Sequence, residues 1–272
     1  MIVLMARRLG MTVLSLVCSF AALLVLWQVA VRLLDVNPYI TKTPTDVWRF
    51  LWQDSPNASA AGHRSRLFGL LGVTLKDAGI GFGFGVVSSV ALAVAFAVAR
   101  PLEAMFMPLA MLMRTMPLVG FAPIIYIIFG DGALCVAIIG LIIVFFPVLI
   151  NMTAGIRSAT KESMDVVAVY GGGRWAAVRL VALPSALPNF FASLKIAVPG
   201  SLVGAMLYEW LFSLQGLGGE ISVANANAGY DETWTIVVLV TGVSILLYNV
   251  VVFVEAPVLA RWGPDAGRYL SE

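Results

Sequence analysis

Among the ionisable side chains that fall in or beside stretches otherwise built from hydrocarbon, three are the candidates for a function: Arg114, Lys195 and Glu209. A charge among apolar neighbours is costly, so such residues either pair within the fold or meet a polar ligand along a water-filled path. Arg114 and Lys195 lie about two turns inside one end of their stretches, where a long side chain can reach the interface or bind helix C-terminal carbonyls. Glu209 lies near the opposite end of its own, between Tyr208 and Trp210. Scaffolding, gating and contact with a passing solute all stay open for these three. Tyr126, Asn151, Thr153, Asn189 and Ser213 add neutral polar groups that could line the same path. Catalytic chemistry has little to work with: no paired carboxylates, Ser/His arrangement or His-metal cluster converges. His63 is the only histidine and has no cysteine near it to share a metal. Cys18 and Cys135 both fall in apolar stretches, act as small hydrophobes and are not expected to form a disulfide.

A second kind of chemistry, recognition, is written in the polar, glycine-broken insert Lys161–Pro184. Ser163–Tyr170 reads as a short helix with Asp165 favoured by its first-turn dipole, and Gly171, Gly172 and Gly173 end it, since glycine enters left-handed backbone cheaply. A second short helix, Arg174–Ala182, then runs to Pro184. The first helix displays Val166, Val167, Val169 and Tyr170 from a loop outside the hydrocarbon. Apolar side chains in that position want a groove, which a partner protein would supply.

The elements that hold these residues follow from composition. In 272 residues, 60% are hydrophobic and 12% charged, and the mean hydropathy is +0.95. That is too apolar for a soluble domain of this size and marks an integral membrane protein. The net charge of +2, from 17 basic and 15 acidic residues spread through loops, suggests no nucleic-acid surface. Six apolar stretches reach the roughly 20 residues a helix needs to cross the bilayer, near 11–34, 69–99, 104–129, 133–156, 185–212 and 234–258. Strands of such length without alternation would leave backbone groups unpaired in lipid, so the expected fold is all-α in one transmembrane domain. Arg7 and Arg8 precede an apolar run longer than a signal-peptide core and lacking a cleavage site, so the first stretch reads as a retained helix. With six spans, nine basic residues fall on the side of the termini and the 157–184 loop, and five on the other, all between the first two spans. The positive-inside rule then places both termini and that loop in the cytoplasm.

Smaller features fill in the frame. Pro44–Trp52 puts Val47, Trp48, Leu51 and Trp52 on one helical face, with Thr45 or Asp46 near its start, and reads as a helix lying flat at the outer surface or packed on its neighbours. Ser55–Ser65 is polar and reads as flexible. In the second span Gly79 and Gly83, and Gly81 and Gly85, share four-residue spacing that admits a close neighbouring helix. They are no phosphate loop, because no strand precedes them and no Gly-Lys-Ser/Thr occurs. Pro108, Pro117, Pro123, Pro147, Pro188 and Pro199 cluster in spans three to five, favouring a gated pathway lined by bent helices. The outer loop Leu214–Thr233 carries Asp231 and Glu232 and no base, so it could pair with a basic partner or simply be solvated.

The loop spacing resembles the EAA loop of bacterial ABC importer permeases: Asp165, Val166, Val167, Gly171, Leu183 and Pro184 stand at the motif positions, although Glu-Ala-Ala is Asp-Val-Val here and Ala168 replaces the usual arginine. Further similarity runs through Thr43–Trp48, Arg114–Pro117, Phe146–Pro147 through Asn151, Ala154–Arg157, Gly173–Trp175, Leu183–Pro188 and Gly216–Gly218, pointing to the nitrate, sulfonate and taurine branch. The resemblance implies a type I importer permease with a MetI-like core, coupled through residues 162–184 to two cytosolic ATPase subunits. Glu162, Asp165, Val166, Val167, Tyr170, Gly171, Arg174, Leu183 and Pro184 would make the coupling contact. It also implies a second permease, of the same or a different chain, and a solute-binding protein docking at the outer loop Leu214–Thr233, part of which could dip back as a short helix. ATP and Mg would bind the ATPases, and this chain would hold no cofactor. Basic residues at the Arg114 and Lys195 positions are general in such permeases, as is an acid at the Glu209 position. The solute would be a small sulfonate, taurine or nitrate-like anion or a pyrimidine-type heterocycle. A self-contained secondary transporter or channel is the alternative, but it would need an intramembrane relay of acids or histidines, or inverted repeats, and the spans offer few acids besides Glu209 and Glu255.

Overall fold

The computed structural model describes residues 21–33, 37–54 and 59–263, and among these every regular element is helical. Arg7, Arg8, Cys18, Arg268 and residues 11–20 of the expected first span lie outside the described residues. The elements are α1 (Ala21–Leu33), α2 (Pro44–Trp52), α3 (Ala60–Val98), α4 (Arg100–Thr115), α5 (Leu118–Phe129), α6 (Ala133–Arg157), α7 (Lys161–Val169), α8 (Arg174–Ala177), α9 (Leu183–Tyr208), α10 (Gly216–Ala226) and α11 (Tyr230–Trp262). Four helices among the described residues are long and apolar enough to span a bilayer, and the pair α4/α5 makes a fifth if counted together.

The described residues fall into two compact parts, one formed by residues up to Phe68 with Val223–Val238, the other by Gly69–Ser222 with residues from Leu239 onward. In the first part, the start of α11 is stapled to the segment before α2. Trp234 stacks on Trp27 with centroids 5.6 Å apart and donates its indole N–H to the Ile40 carbonyl at 3.0 Å. Lys42 pairs with Asp231 at 3.2 Å, Arg66 pairs with Glu232, and Arg64 donates to the Leu51 carbonyl and lies over the Trp52 ring. Asp231 and Glu232 are therefore engaged within the chain. Four of the five bases that crowd the expected outer side have partners, Arg49 through Asp46 at 3.8 Å, which lowers the cost of placing them there.

Helix α2 spans the residues its pattern predicts, but its cap is Thr43 instead of Thr45 or Asp46. Thr43 and Asp46 form a reciprocal capping box ahead of Pro44 at the first helical position. Val47 is buried while Trp48 and Trp52 are exposed, so the apolar face is divided between packing and surface. Burial pushes the Asp46 carboxyl up, but the Thr43 hydrogen bonds and the nearby Arg49 and Lys42 outweigh it and hold the group below the usual aspartate range. Helix α3 starts at Ala60, five residues before the end of the segment expected to be flexible, and the Asp54 carboxyl accepts the Ala60 N–H at 2.8 Å. His63 sits with its ring 4.4 Å from that of Phe50.

In the second part α6 is the central post. Its Ile139, Val144, Val148 and Leu149 are fully buried, and its most extensive partner is α9. Gly81 and Gly140 let α3 and α6 touch backbone to backbone: a Cβ on Gly140 would lie 2.3 Å from the Gly81 Cα. One turn on, Gly85 faces Val144, whereas Gly79 and Gly83 face open space, so only one of the two glycine pairs is a packing seam. Ser89 locks the same seam by donating to the Phe145 carbonyl at 2.9 Å.

Two departures from the expected spans have clear causes. The third stretch is broken, since α4 and α5 meet at 108°. Met116 and Pro117 both adopt extended backbone there, because proline disfavours helical geometry in the residue before it. The fifth stretch has no break at Pro184. Helix α8 passes through a π-turn, Val178–Ala182, directly into α9, with the Leu183 N–H reaching back five residues to the Val178 carbonyl. A second π-turn, Glu209–Ser213, closes the same helix. The outcome is 40 continuous residues, Arg174–Ser213, or about 60 Å of helix where roughly 30 Å crosses the hydrocarbon.

Candidate functional site

Helix α7 begins two residues earlier than its pattern predicts, because Thr160 is the cap and its side chain accepts the Ser163 N–H. Glu162 therefore occupies the first turn and Asp165 the second, both exposed. None of its residues is buried. Val169 and Tyr170 are 86% and 89% exposed and Val166 is 55% exposed, an apolar patch on a helix of nine residues. Val167 differs from the expectation: it is half-buried beneath Gly172, whose Cβ would come within 2.5 Å of the valine side chain. Of the three glycines only Gly171 is left-handed, at φ 81°. Gly173 is extended and starts α8, which puts the exposed Arg174 and Trp175 beside the turn. Leu183 and Pro184 are half-buried within the long helix that follows.

The three charges do not converge, and no ion pair or hydrogen bond joins them among the described residues. Arg114 is exposed in the last turn of α4, where a cation complements the helix dipole, and its guanidinium lies 5.2 Å over the Phe146 ring. Lys195 pairs with Glu255 of α11 at 2.5 Å, each side chain mostly buried. Glu209 is completely buried. Its Oε2 accepts from the Thr74 hydroxyl of α3 at 2.9 Å and from the Gly218 N–H at 2.9 Å, while Thr74 Oγ1 accepts the Leu217 N–H at 2.9 Å. Glu209 and Thr74 thus together take up orphan donors at the start of α10, the job of an N-cap. Glycine is required around this knot. A Cβ on Gly216, which sits at φ 70°, would fall 2.3 Å from the Glu209 carboxyl, and one on Gly218 would fall 2.3 Å from the Met206 carbonyl.

Among the neutral candidates, Tyr126 stacks on Phe212 at 4.5 Å. Asn151 turns its amide back to the Pro147 carbonyl of its own helix, and the Asn189 Cβ packs against Gly155 where α6 meets α9. The partners that matter most, Thr74 and Glu255, carried weak signals in the sequence: a hydroxyl in an apolar run and a lone acid in the last span. Tyr208, beside Glu209, donates to Asp131 and receives the Gly132 N–H, tying the end of α9 to the turn before α6.

Long apolar helices around a buried polar knot define a multi-pass helical membrane protein. Residues 79–262 match the family described as binding-protein-dependent transport system inner membrane component, and the chain belongs to that family. It is 26% identical over 226 residues to a probable ABC transporter permease protein of Haemophilus influenzae, covering 83% of this chain and 89% of the relative. It is 27% identical to a formylaminopyrimidine transport permease protein of Halalkalibacterium halodurans, over 73% and 76% of the two chains. With a riboflavin transport system permease protein of Chloroflexus aurantiacus the identity is 28%, over 94% and 91%.

Proposed function

We propose that the chain is the permease subunit of an ATP-driven importer, with six spans, cytoplasmic termini and α7 as the helix that docks into a groove of a cytosolic ATPase. The observation that carries this is the bare apolar patch of Val166, Val169 and Tyr170, on a helix with no buried residue, next to the root of a helix that continues unbroken to Ser213. ATP and Mg bind the two ATPase subunits, a second permease completes the path, and a solute-binding protein delivers the solute. Closure of the ATPases displaces α7, and α6 and the long helix carry that displacement as rigid bodies to the pathway. The names of two relatives favour a small nitrogen heterocycle as the solute. The test is uptake and ATP hydrolysis in proteoliposomes holding the complete assembly. Gly171→Val forces a β-branched residue into left-handed backbone, and Asp165→Lys reverses an exposed charge; each should lower uptake at least tenfold while hydrolysis persists. Uptake at the wild-type rate in both variants would refute the coupling role.

A further inference from the structure

A cavity of about 1150 Å³ opens beside α7, walled by the C-terminal turns of α3 and α6, the first turns of α4 and α7, and the α8 segment. Its floor is apolar, built from Phe96, Met107, Ile156, Met164 and Val178, and its rim carries Glu103, Arg157, Lys161 and Arg174. Arg157 pairs with Glu103, so the one acid is already neutralised. Lys161 and Arg174 have no ion-pair partner among the described residues, which leaves the rim with two uncompensated positive charges. Thr153, also in the wall, is 94% buried, and its hydroxyl has no hydrogen-bond partner among the described residues.

These features select the occupant. A small inorganic anion would satisfy the rim and leave the floor wet, whereas a neutral apolar molecule would leave the cations unanswered. The volume slightly exceeds the roughly 300–1,000 Å³ of sites that bury drug-sized molecules, so the ligand has a sizeable apolar body and an anionic head. Access points to the membrane as its source: beside the cavity α4 exposes Met105, Phe106 and Leu109, side chains suited to lipid instead of water. Basic pockets between helix ends on the cytoplasmic face are a general means of holding anionic head groups.

We propose that this cavity binds one anionic phospholipid of the cytoplasmic leaflet, its phosphate at Lys161 and Arg174 and its acyl chains on the Phe96–Val178 floor. The inference rests on the orientation in the importer reading, because only that face supplies anionic lipid to these residues. Since the same loop carries α7, the lipid would brace the root of the docking helix.

The experiment is native mass spectrometry of the full chain, purified with whatever subunits accompany it from nanodiscs containing equal phosphatidylglycerol and phosphatidylcholine. Wild type should retain one phosphatidylglycerol in preference to phosphatidylcholine, and an excess of inorganic phosphate should not displace it. The Lys161→Gln/Arg174→Gln pair should weaken retention about thirty-fold, at roughly 1 kcal/mol per basic residue. Ala104→Trp, which fills the mouth from an exposed helix position, should abolish it. Arg179→Gln, exposed and outside the cavity wall, should change nothing. Equal retention of the two lipids, retention unaffected by the double variant and by Ala104→Trp, or displacement by inorganic phosphate would overturn the proposal, the last by marking a site for a soluble anion. Because lipid is read without transport, absence of an accompanying ATPase would refute the importer reading and leave the lipid result readable on its own.

Discussion

Replacing Thr74 by valine should loosen the start of α10 without altering shape. Thr74 and Leu217 are both completely buried, so valine leaves the Leu217 N–H facing no acceptor and takes one of two donors from Glu209 Oε2. An unpaired buried group costs ~1–3 kcal/mol and the second lost bond adds about 1 kcal/mol, giving ~2–4 kcal/mol in all. At 1.4 kcal/mol per tenfold, local opening becomes roughly thirty to a thousand times more frequent. The assay is hydrogen exchange of peptides covering residues 214–226. Thr74→Ser keeps the hydroxyl and removes one methyl, so its exchange should rise about tenfold at most. If valine and serine behave alike, the hydroxyl bridge is not what holds α10, and the assignment of Glu209 and Thr74 as its caps fails.

Three further outcomes are expected. Gly140→Ala drives a methyl into the Gly81 backbone and should destabilise the protein by ~1–3 kcal/mol, whereas Gly79→Ala faces open space and should be neutral or stabilising; thermal unfolding in detergent that ranks the two the other way would refute the α3–α6 seam. Breaking the Lys195–Glu255 pair from either side should reduce folded protein in the membrane, because the remaining charge is left unpaired in a span, and the swap Lys195→Glu/Glu255→Lys should restore much of it; a swap no better than either single variant argues against the pair. Because the folded-state pKa of Asp46 is depressed, its contribution to α2 is present above the unfolded aspartate value of about 3.9 and is lost as pH falls through the lower folded value. Thr43→Val should move the carboxyl titration, followed by carbon NMR, upward.

How far the chain could be read without coordinates depended on the range of the forces involved. Apolar length is a local property, so α6 was legible to within a residue of each end, and α2 was legible because Pro44 and its aromatic spacing act within two turns. The starts of α3 and α11 were not: the Ala60 N–H is taken up by Asp54 six residues back, and residues 230–233 are helical where Glu232 and Asp231 find partners far away in sequence. The glycine seam was half legible, since the spacing gave two equivalent pairs and only the position of α6 chose between them. Glu209 announced itself by its cost in an apolar run, but its task depended on Thr74, 135 residues away.

The Pro184 region shows most directly how a local rule can be outweighed. Proline lacks an N–H and crowds the preceding turn, so the sequence predicts a stop before it. The chain widens instead to a π-turn over Val178–Ala182 and places Pro184 in the first turn of the next helical segment, where its missing donor costs little. Arg174–Ser213 is then one continuous helix, and the break in the helical chain falls at the Gly171–Gly173 turn that joins it to α7. On the proposed coupling role, a displacement of α7 would be absorbed or passed on at those glycines. Stiffening that turn, as in Gly171→Val, separates a passive tether from a working lever: a tether would tolerate the change, and a lever would not.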